Sequence, residues 1–163
     1  LLQLPAPCKT TPLNRGYLEK LLRQFIEYRR VVEARHDSWE NPDTIDDFMQ
    51  KNVSFCNIAQ PLIGRSLVPT EHVTSPVGYV RLHGRNYDQW FDADTGADRY
   101  NYLYSEAELS GWKDKIVRIA GKAEVTYVVT NNHFEGKAGV NALQLKNMIT
   151  GERVKAPEPL LKH

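Results

Sequence analysis

The sequence predicts an α/β protein built on a parallel sheet, and three observations lead to this prediction. Short runs rich in apolar and β-branched residues alternate along the chain with longer segments whose apolar residues recur every three or four positions. Strands and helices taken in turn favour a parallel sheet with the helices as crossovers. In two of the runs charged side chains alternate with apolar ones, which is typical of strands with one polar face.

Each element follows from a local pattern. A strand is expected where apolar residues run together or alternate, and a helix where they recur at helical spacing. Pro42 and Asp43 begin the second helix, and a capping box of Ser105 and Glu108 begins the third. The expected strands lie at residues 1–4, 31–35, 53–59, 79–83 and 125–129. The expected helices lie at residues 18–26, 42–49, 105–119 and 138–149, with the last one ending near Gly151.

Two connections between these elements are long. Residues 60–76 contain three prolines and no helical period, so an irregular crossover is expected there. A polar and aromatic segment of about twenty residues follows the strand at 79–83, and connections of this length are more often functional or mobile. Nucleic-acid bases could stack on its rings. We expect instead that the rings pack the segment against the rest of the protein as a lid. The rings belong to Tyr87, Trp90, Phe91, Tyr100, Tyr102 and Tyr104.

The chain is expected to form a single partial domain over residues 1–163. Its length suits one domain, but a closed (β/α) barrel has eight strands and about 250 residues. The opening Leu-Leu-Gln-Leu-Pro is apolar and resembles a buried strand that begins partway along. We therefore expect an incomplete barrel in which residues 150–163 form an extended C-terminal arm. A small, complete, doubly wound sheet is the alternative.

Composition and charge limit which classes of partner the protein is expected to bind. Charged residues make up 25% of the chain and the net charge is +1, so no global basic field draws the protein to nucleic acid or an anionic membrane. No apolar run reaches the roughly 18 residues of a membrane span. The two cysteines have no metal-ligand spacing. Free thiols favour a cytoplasmic location.

Several segments of the sequence resemble one known family. They are Gln3-Leu4-Pro5, Glu33-Ala34-Arg35-His36 with Trp39, Tyr79-Val80-Arg81-Leu82-His83-Gly84-Arg85, Arg99-Tyr100-Asn101-Tyr102-Leu103-Tyr104-Ser105 with Trp112, and Asn131-Asn132-His133. Together they resemble the YecE-like family, the domain-of-unknown-function family 72, over nearly the whole chain. The resemblance implies a TIM-barrel-like fold in which the opening strand is the fourth and the later strands are the fifth to eighth. The expected partner is then the missing N-terminal half of the barrel.

Strand alternation predicts which side chains face a site. Val32 and Ala34 suit the helix-facing side of their strand, which leaves Glu33 and Arg35 inside the barrel. By the same argument Val80 and Leu82 face the helices, which leaves Tyr79, Arg81 and His83 inside. The last strand is ambiguous, because Tyr127, Val129 and Asn131 compete with Val128, Thr130 and Asn132 for the interior. Burying charged groups inside a barrel costs free energy unless they are paired or solvated. They are therefore expected at the carboxyl ends of the strands, where TIM-barrel active sites lie.

The loops after the last two strands carry the residue types of an anion site. Guanidinium groups, side-chain amides and glycine-exposed backbone amides suit recognition of phosphate. The expected ligand-binding residues are Arg35, Arg81, Arg85, Asn131, Asn132 and His133. The expected ligand is a phosphorylated small molecule or another anion, with nucleic acid as a further possibility.

Three functional hypotheses stay open at this point. In the first, the protein is a hydrolase or acid–base enzyme in which Glu33 is the general base and His83 the acid or base. In the second, it is a binding module without catalysis, and the charges only hold the fold and the ligand. In the third, it is a metal-dependent hydrolase or isomerase of the barrel type, with a divalent metal bound by residues drawn from Glu33, His36, His83 and His133. No metal is expected, because strand alternation turns His36 away from Glu33 and no tight ligand spacing occurs.

An incomplete barrel also predicts self-association. Its edge strands, near residues 1–4 and 125–129, have unpaired backbone groups. The isolated chain is therefore expected to associate with copies of itself or with the missing half.

Overall fold

The computed structural model describes residues 1–87, 90 and 98–158. Within them the chain forms five strands and four α-helices, and a helix follows every strand except the third. The strands are β1 (Leu2–Gln3), β2 (Arg30–Glu33), β3 (Val53–Ala59), β4 (Val77–Leu82) and β5 (Val125–Thr130). The α-helices are α1 (Pro12–Gln24), α2 (Pro42–Gln50), α3 (Glu106–Ala120) and α4 (Lys137–Thr150). Phe91 and residues 159–163, the end of the expected arm, lie outside the described residues.

The strands form one parallel sheet in the order β1-β2-β3-β4-β5. The predicted α/β class, the five strands and their parallel pairing are confirmed. β1 and β5 lie at the two edges of this sheet, where edge strands were expected. Each crossover carries its helix except the one from β3 to β4, where residues 60–76 have no helix, as expected.

The helix ends follow the capping rules. Thr11 and Asn41 accept a backbone hydrogen bond from the first turns of α1 and α2, and a proline comes next in each case. Ser105 and Glu108 form the predicted capping box of α3. α4 ends at Gly151, where the end of the helix was predicted.

Apolar spacing in the sequence predicts that Phe25, Ile26, Met49 and Ile149 lie on the buried faces of their helices, but all four are exposed. α1 both begins and ends earlier than the predicted range 18–26, so Phe25 and Ile26 lie beyond its end. Met49 and Ile149 stand in the last turns of their helices and are also exposed. Apolar spacing alone therefore extended the predicted buried face into the last helical turn or just beyond the end of the helix.

The core lies between the sheet and its helices and has two parts. One part packs α1 and α2 against β2 and β3 through Leu18, Leu22, Val32, Phe48 and Phe55. The other packs α3 and α4 against β4 and β5. Its members include Val80, Leu82, Leu109, Trp112, Ile116, Ile119, Val128 and Leu145. Val80, Leu82 and Val128 therefore face the helices, which leaves their strand neighbours on the opposite face of the sheet.

None of the helices in the described ranges is long and apolar enough to cross a membrane.

Candidate functional site

A cluster of four charged and polar side chains occupies the carboxyl ends of β2 and β4, on the face of the sheet away from the helices. We call Glu33, Arg35, Arg81 and His83 the polar cluster. Its centre is Glu33, whose side chain is completely buried. Arg35 Nε donates to Glu33 Oε1 at 3.0 Å, His83 Nε2 lies 3.0 Å from the same oxygen, and Arg81 Nη1 donates to Glu33 Oε2. The structure thus brings together the residues of two predicted strands around one carboxylate.

Strand alternation and register explain why these side chains meet. β3 lies between β2 and β4, and its Cys56 and Ile58 pair with Tyr79 and Arg81 of β4. Residues paired in a parallel ladder point to the same face, so β3 contributes only short, apolar side chains to this face. Long side chains from β2 and β4 reach each other across β3. On the same face, the rings of Tyr79 and Tyr127 lie 5.9 Å apart, which settles the ambiguity of the last strand in favour of Tyr127.

The surroundings of Glu33 hold its carboxylate in the charged form. Burial alone would raise its pKa, but the hydrogen bond from His83, the charge that His83 acquires in acid, and the charges of Arg35 and Arg81 outweigh burial and lower the pKa to about 2. Both oxygens are occupied by donors. A carboxylate with so low a pKa is a weak proton acceptor near neutral pH. Its evident capacity is to hold and orient the three donors around it.

His83 is fixed in one orientation by Glu33. Because an ionised carboxylate only accepts hydrogen bonds, Nε2 carries the hydrogen, and Nδ1 of the neutral ring is an acceptor. Burial lowers the pKa of His83, and the hydrogen bond with Glu33 offsets this only in part. Nδ1 is buried and makes no hydrogen bond within the described residues. The ring is therefore a neutral, oriented base with one acceptor nitrogen unused.

These two pKa shifts predict that the protein loses stability in acid. A carboxylate whose pKa is lowered on folding contributes stability above its unfolded pKa, and this contribution is lost as the pH falls towards the folded value. For Glu33 the loss runs from about pH 5 to about pH 2 and is on the order of 3 kcal/mol. His83, whose pKa is also lowered, adds to the loss below about pH 6.5.

Urea unfolding at pH 7, 5 and 3 measures this dependence. The Glu33→Gln variant is the control, since it keeps the shape of the side chain and removes the titrating group. We expect the free energy of unfolding of the variant to fall less between pH 5 and pH 3 than that of the unchanged protein. Equal slopes would contradict the assignment of the acid sensitivity to Glu33.

Gln3 and Trp90 also contact the polar cluster, although the sequence alone did not assign them to it. Gln3 of β1 accepts a hydrogen bond from Arg81 Nη1 at 3.2 Å. Its alternation with Leu2 and Leu4 is the signal that could have placed it on this face. The Trp90 ring lies under the Arg35 guanidinium, with 5.8 Å between the guanidinium carbon and the ring centre. Trp90 lies in the long loop after β4, where no periodic pattern indicates direction.

The other predicted ligand-binding residues lie apart from the polar cluster. Arg85 pairs with Glu108 of α3 at 3.2 Å. Asn132 is buried on the helix side, where its amide donates to the backbone oxygen of Tyr102 and to Asn141 Oδ1. The Nδ1 atom of His133 lies 3.0 Å from the backbone oxygen of Asn131, and its ring stacks on Tyr100. These contacts shape the loops, and binding by these residues stays a prediction.

The residues of the metal hypothesis are not gathered at one point. Glu33 and His83 meet, but Nδ1 of His36 lies near Ser38 and Asp37, and His133 belongs to the loop after β5. In the described ranges, no three His, Cys, Asp or Glu side chains are grouped closely enough to hold a metal ion.

Comparisons with known proteins place this chain in a family. The family model described as "Protein of unknown function DUF72" matches residues 1–162. The UPF0759 protein YunF of Bacillus subtilis is 28% identical, over 91% of this chain and 56% of that protein. The chain thus spans little more than half the length of this curated relative.

Solved structures give the same result. The crystal structure of a DUF72 family protein from Thermotoga maritima is 36% identical, with a TM-score of 0.85 over 91% of this chain and 56% of that one. A DUF72 family protein from Enterococcus faecalis has a TM-score of 0.81 at 24% identity, over 95% of this chain and 58% of the other, and at that identity it supports the fold alone. With the family model covering residues 1–162, the chain belongs to the DUF72 family.

Proposed function

We propose that the polar cluster forms the floor of an anion-binding cleft at the carboxyl ends of the strands, and that its ligand is a phosphorylated or similarly anionic molecule. The observation that carries this proposal is the pairing of two arginines with a single buried carboxylate. Two arginines less one glutamate, with His83 neutral, leave the polar cluster with one net positive charge. A positive charge held in a partly desolvated site attracts an anion more strongly than one in water.

Each arginine has more N–H donors than it uses on Glu33 and Gln3. Arg35 uses Nε on Glu33, and Arg81 uses Nη1 on Glu33 and Gln3. Their side chains are only 11% and 12% exposed, so the remaining guanidinium hydrogens have little freedom of direction. A guanidinium held in this way suits the paired oxygens of a phosphate or carboxylate.

We expect the Arg35→Ala and Arg81→Ala variants to bind inorganic phosphate more weakly than the unchanged protein. A hydrogen bond between charged groups is worth about 1.5–3 kcal/mol, so each loss should weaken binding by roughly 10- to 100-fold. Each variant leaves Glu33 with two of its three donors, one of them a cation. Calorimetric titration at low ionic strength measures the dissociation constants.

The matched control is Arg23→Ala, which removes an exposed arginine of α1 paired with Glu19. It should leave phosphate binding unchanged. Phosphate binding that is absent from the unchanged protein, or that falls equally in all three variants, would contradict an anion site at the polar cluster.

A second candidate function is acid–base catalysis on the bound anion. The observation that favours it is the buried Nδ1 of His83, which has no hydrogen-bond partner among the described residues, on a ring whose other nitrogen is held by Glu33. In that reading His83 transfers the proton and Glu33 is its positioning residue. Turnover of a phosphate ester that disappears in His83→Gln, while phosphate binding remains, would favour the enzyme. Binding without turnover would favour the binding module.

We also infer that the sheet is part of a barrel-like arrangement in the whole protein. The strands follow one another across the sheet in chain order, as in a (β/α) barrel, whereas a doubly wound sheet reverses direction at a switch point. Helices cover one face only in the described part, and Glu33, Tyr79 and Arg81 occupy the other. The longer relatives have enough additional chain for further strands.

A further inference from the structure

A cavity of about 380 Å³ opens beside the polar cluster. Its walls come from the loops that follow the first four strands in turn: Pro7 after β1, Arg35 and His36 after β2, Gln60 and Ile63 after β3, and Trp90 after β4. A volume of this size lies in the range of small-molecule sites, about 300–1,000 Å³. Its position at the carboxyl ends of parallel strands is the usual one for ligands in α/β proteins.

The walls of this cavity are held together by hydrogen bonds. The backbone nitrogen of Leu67 donates to the Arg35 oxygen at 2.8 Å, and that of Asp37 donates to the Arg65 oxygen at 2.9 Å. Gln60 Nε2 donates to the Arg35 oxygen at 3.0 Å. The loops after β2 and β3 therefore support each other without a ligand. A preformed site of this kind loses little entropy when a ligand enters.

Arg35 is the residue shared by the cavity and the polar cluster. Its Nε is on Glu33, while its guanidinium lies over the Trp90 ring and borders the cavity. A second arginine on the cavity wall, Arg65, is paired with Asp37 at 2.6 Å, and its charge is balanced there. The attraction for an anion is thus concentrated at the end of the cavity where Arg35 lies.

The remainder of the cavity wall is largely apolar. Pro7, Ile63 and Trp90 supply flat or branched hydrocarbon surface. Trp90 is 6% exposed and packs at a steep angle against the ring of Tyr100, with 6.5 Å between ring centres. A fixed apolar wall next to a fixed cation fits a ligand that has both an anionic end and a flat apolar body.

We propose that this cavity is the subsite for the body of the ligand, and that the ligand is an organic phosphate whose phosphoryl group is attached to a single flat ring. The phosphoryl group lies at Arg35, and the ring lies against Ile63, Pro7 and the Trp90 edge. This inference rests on the proposed function and adds the ligand class to it. Inorganic phosphate fills only the anionic end, so the ring should add affinity.

Phenyl phosphate and inorganic phosphate are the two probes that test this assignment. By calorimetric titration we expect phenyl phosphate to bind roughly tenfold tighter or more, since burying one ring removes apolar surface from water. The Ile63→Ser variant removes part of the apolar wall without touching a charge, and the Ala6→Phe variant fills the cavity from its rim. Both should reduce the advantage of phenyl phosphate and leave inorganic phosphate binding unchanged. Leu62→Ser is the matched control, since Leu62 is exposed and adjacent to Ile63 but does not line the cavity.

The outcomes separate the subsite from the anion site. If inorganic phosphate binds at Arg35 and phenyl phosphate binds no tighter, the subsite assignment is wrong while the proposed function stands. An advantage for phenyl phosphate that survives both Ile63→Ser and Ala6→Phe would place the ring elsewhere and would also overturn it. If neither probe binds, the proposed function fails and the subsite fails with it.

Discussion

The Glu33→Gln variant should be less stable than the unchanged protein by about 3–5 kcal/mol, the cost of removing one partner from a buried ion pair. Glutamine keeps the shape of the side chain, and its one carbonyl oxygen still accepts hydrogen bonds, but its NH2 group only donates. It leaves Arg35 and Arg81 without a counter-charge at a place where water has little access. Urea unfolding at neutral pH measures the difference in the free energy of unfolding.

Glu71→Gln is the matched control for this measurement. Glu71 also accepts hydrogen bonds from two cations, Lys115 and Arg118, and its pKa is also lowered to about 2, chiefly by those bonds. Its side chain, however, is 30% exposed, so water can solvate the cations when the carboxylate is removed. The loss should be small, as for surface ion pairs in general. Equal losses in the free energy of unfolding of the two variants would contradict the claim that burial makes the loss of Glu33 the more costly one.

The Gly84→Ala variant should lose about 2–4 kcal/mol, because the backbone and the packing both oppose a side chain at that position. Gly84 follows His83 directly and has φ +93, a conformation that residues with a Cβ rarely adopt. A Cβ placed there would lie 2.9 Å from Tyr102 Cβ. The backbone nitrogen of Gly84 also donates to the Tyr104 hydroxyl at 2.8 Å, so the loop cannot shift without losing this hydrogen bond.

The control for this glycine is Gly111→Ala in the middle of α3. A Cβ at Gly111 would meet nothing within 4 Å, and alanine in an exposed helix interior stabilises by roughly 0.5–1 kcal/mol relative to glycine. The two substitutions are chemically identical and should change the free energy of unfolding in opposite directions. A stable Gly84→Ala variant would show that the loop after His83 has another accessible conformation.

The sequence predicted the fold well because its local signals agree with one another. Apolar runs, caps and prolines mark each strand and helix, and alternation around Glu33 and Arg81 predicts the polar face of the sheet. Spacing failed at helix ends such as Phe25 and Met49, where packing against the sheet decides which apolar residues are buried.

The contacts within the site were harder to predict. Alternation placed Glu33, Arg35, Arg81 and His83 on one face, but it did not show that a single carboxylate would bind the other three. That depends on the register of β2, β3 and β4 and on the short, apolar side chains that β3 contributes between them. Trp90 is in a loop without periodicity, so its position under Arg35 is a tertiary property. The predicted role of Glu33 as general base receives no support from a pKa of about 2.

The most direct test of the anion-binding cleft is to follow the arginine side chains by nuclear magnetic resonance while phosphate is added at constant ionic strength. We expect the Nε–H resonances of Arg35 and Arg81 to shift and saturate with the same dissociation constant, and that of Arg23, on the outer surface of α1, to stay in place. Shifts that are absent from Arg35 and Arg81, or that appear equally at Arg23, would contradict an anion site at the polar cluster.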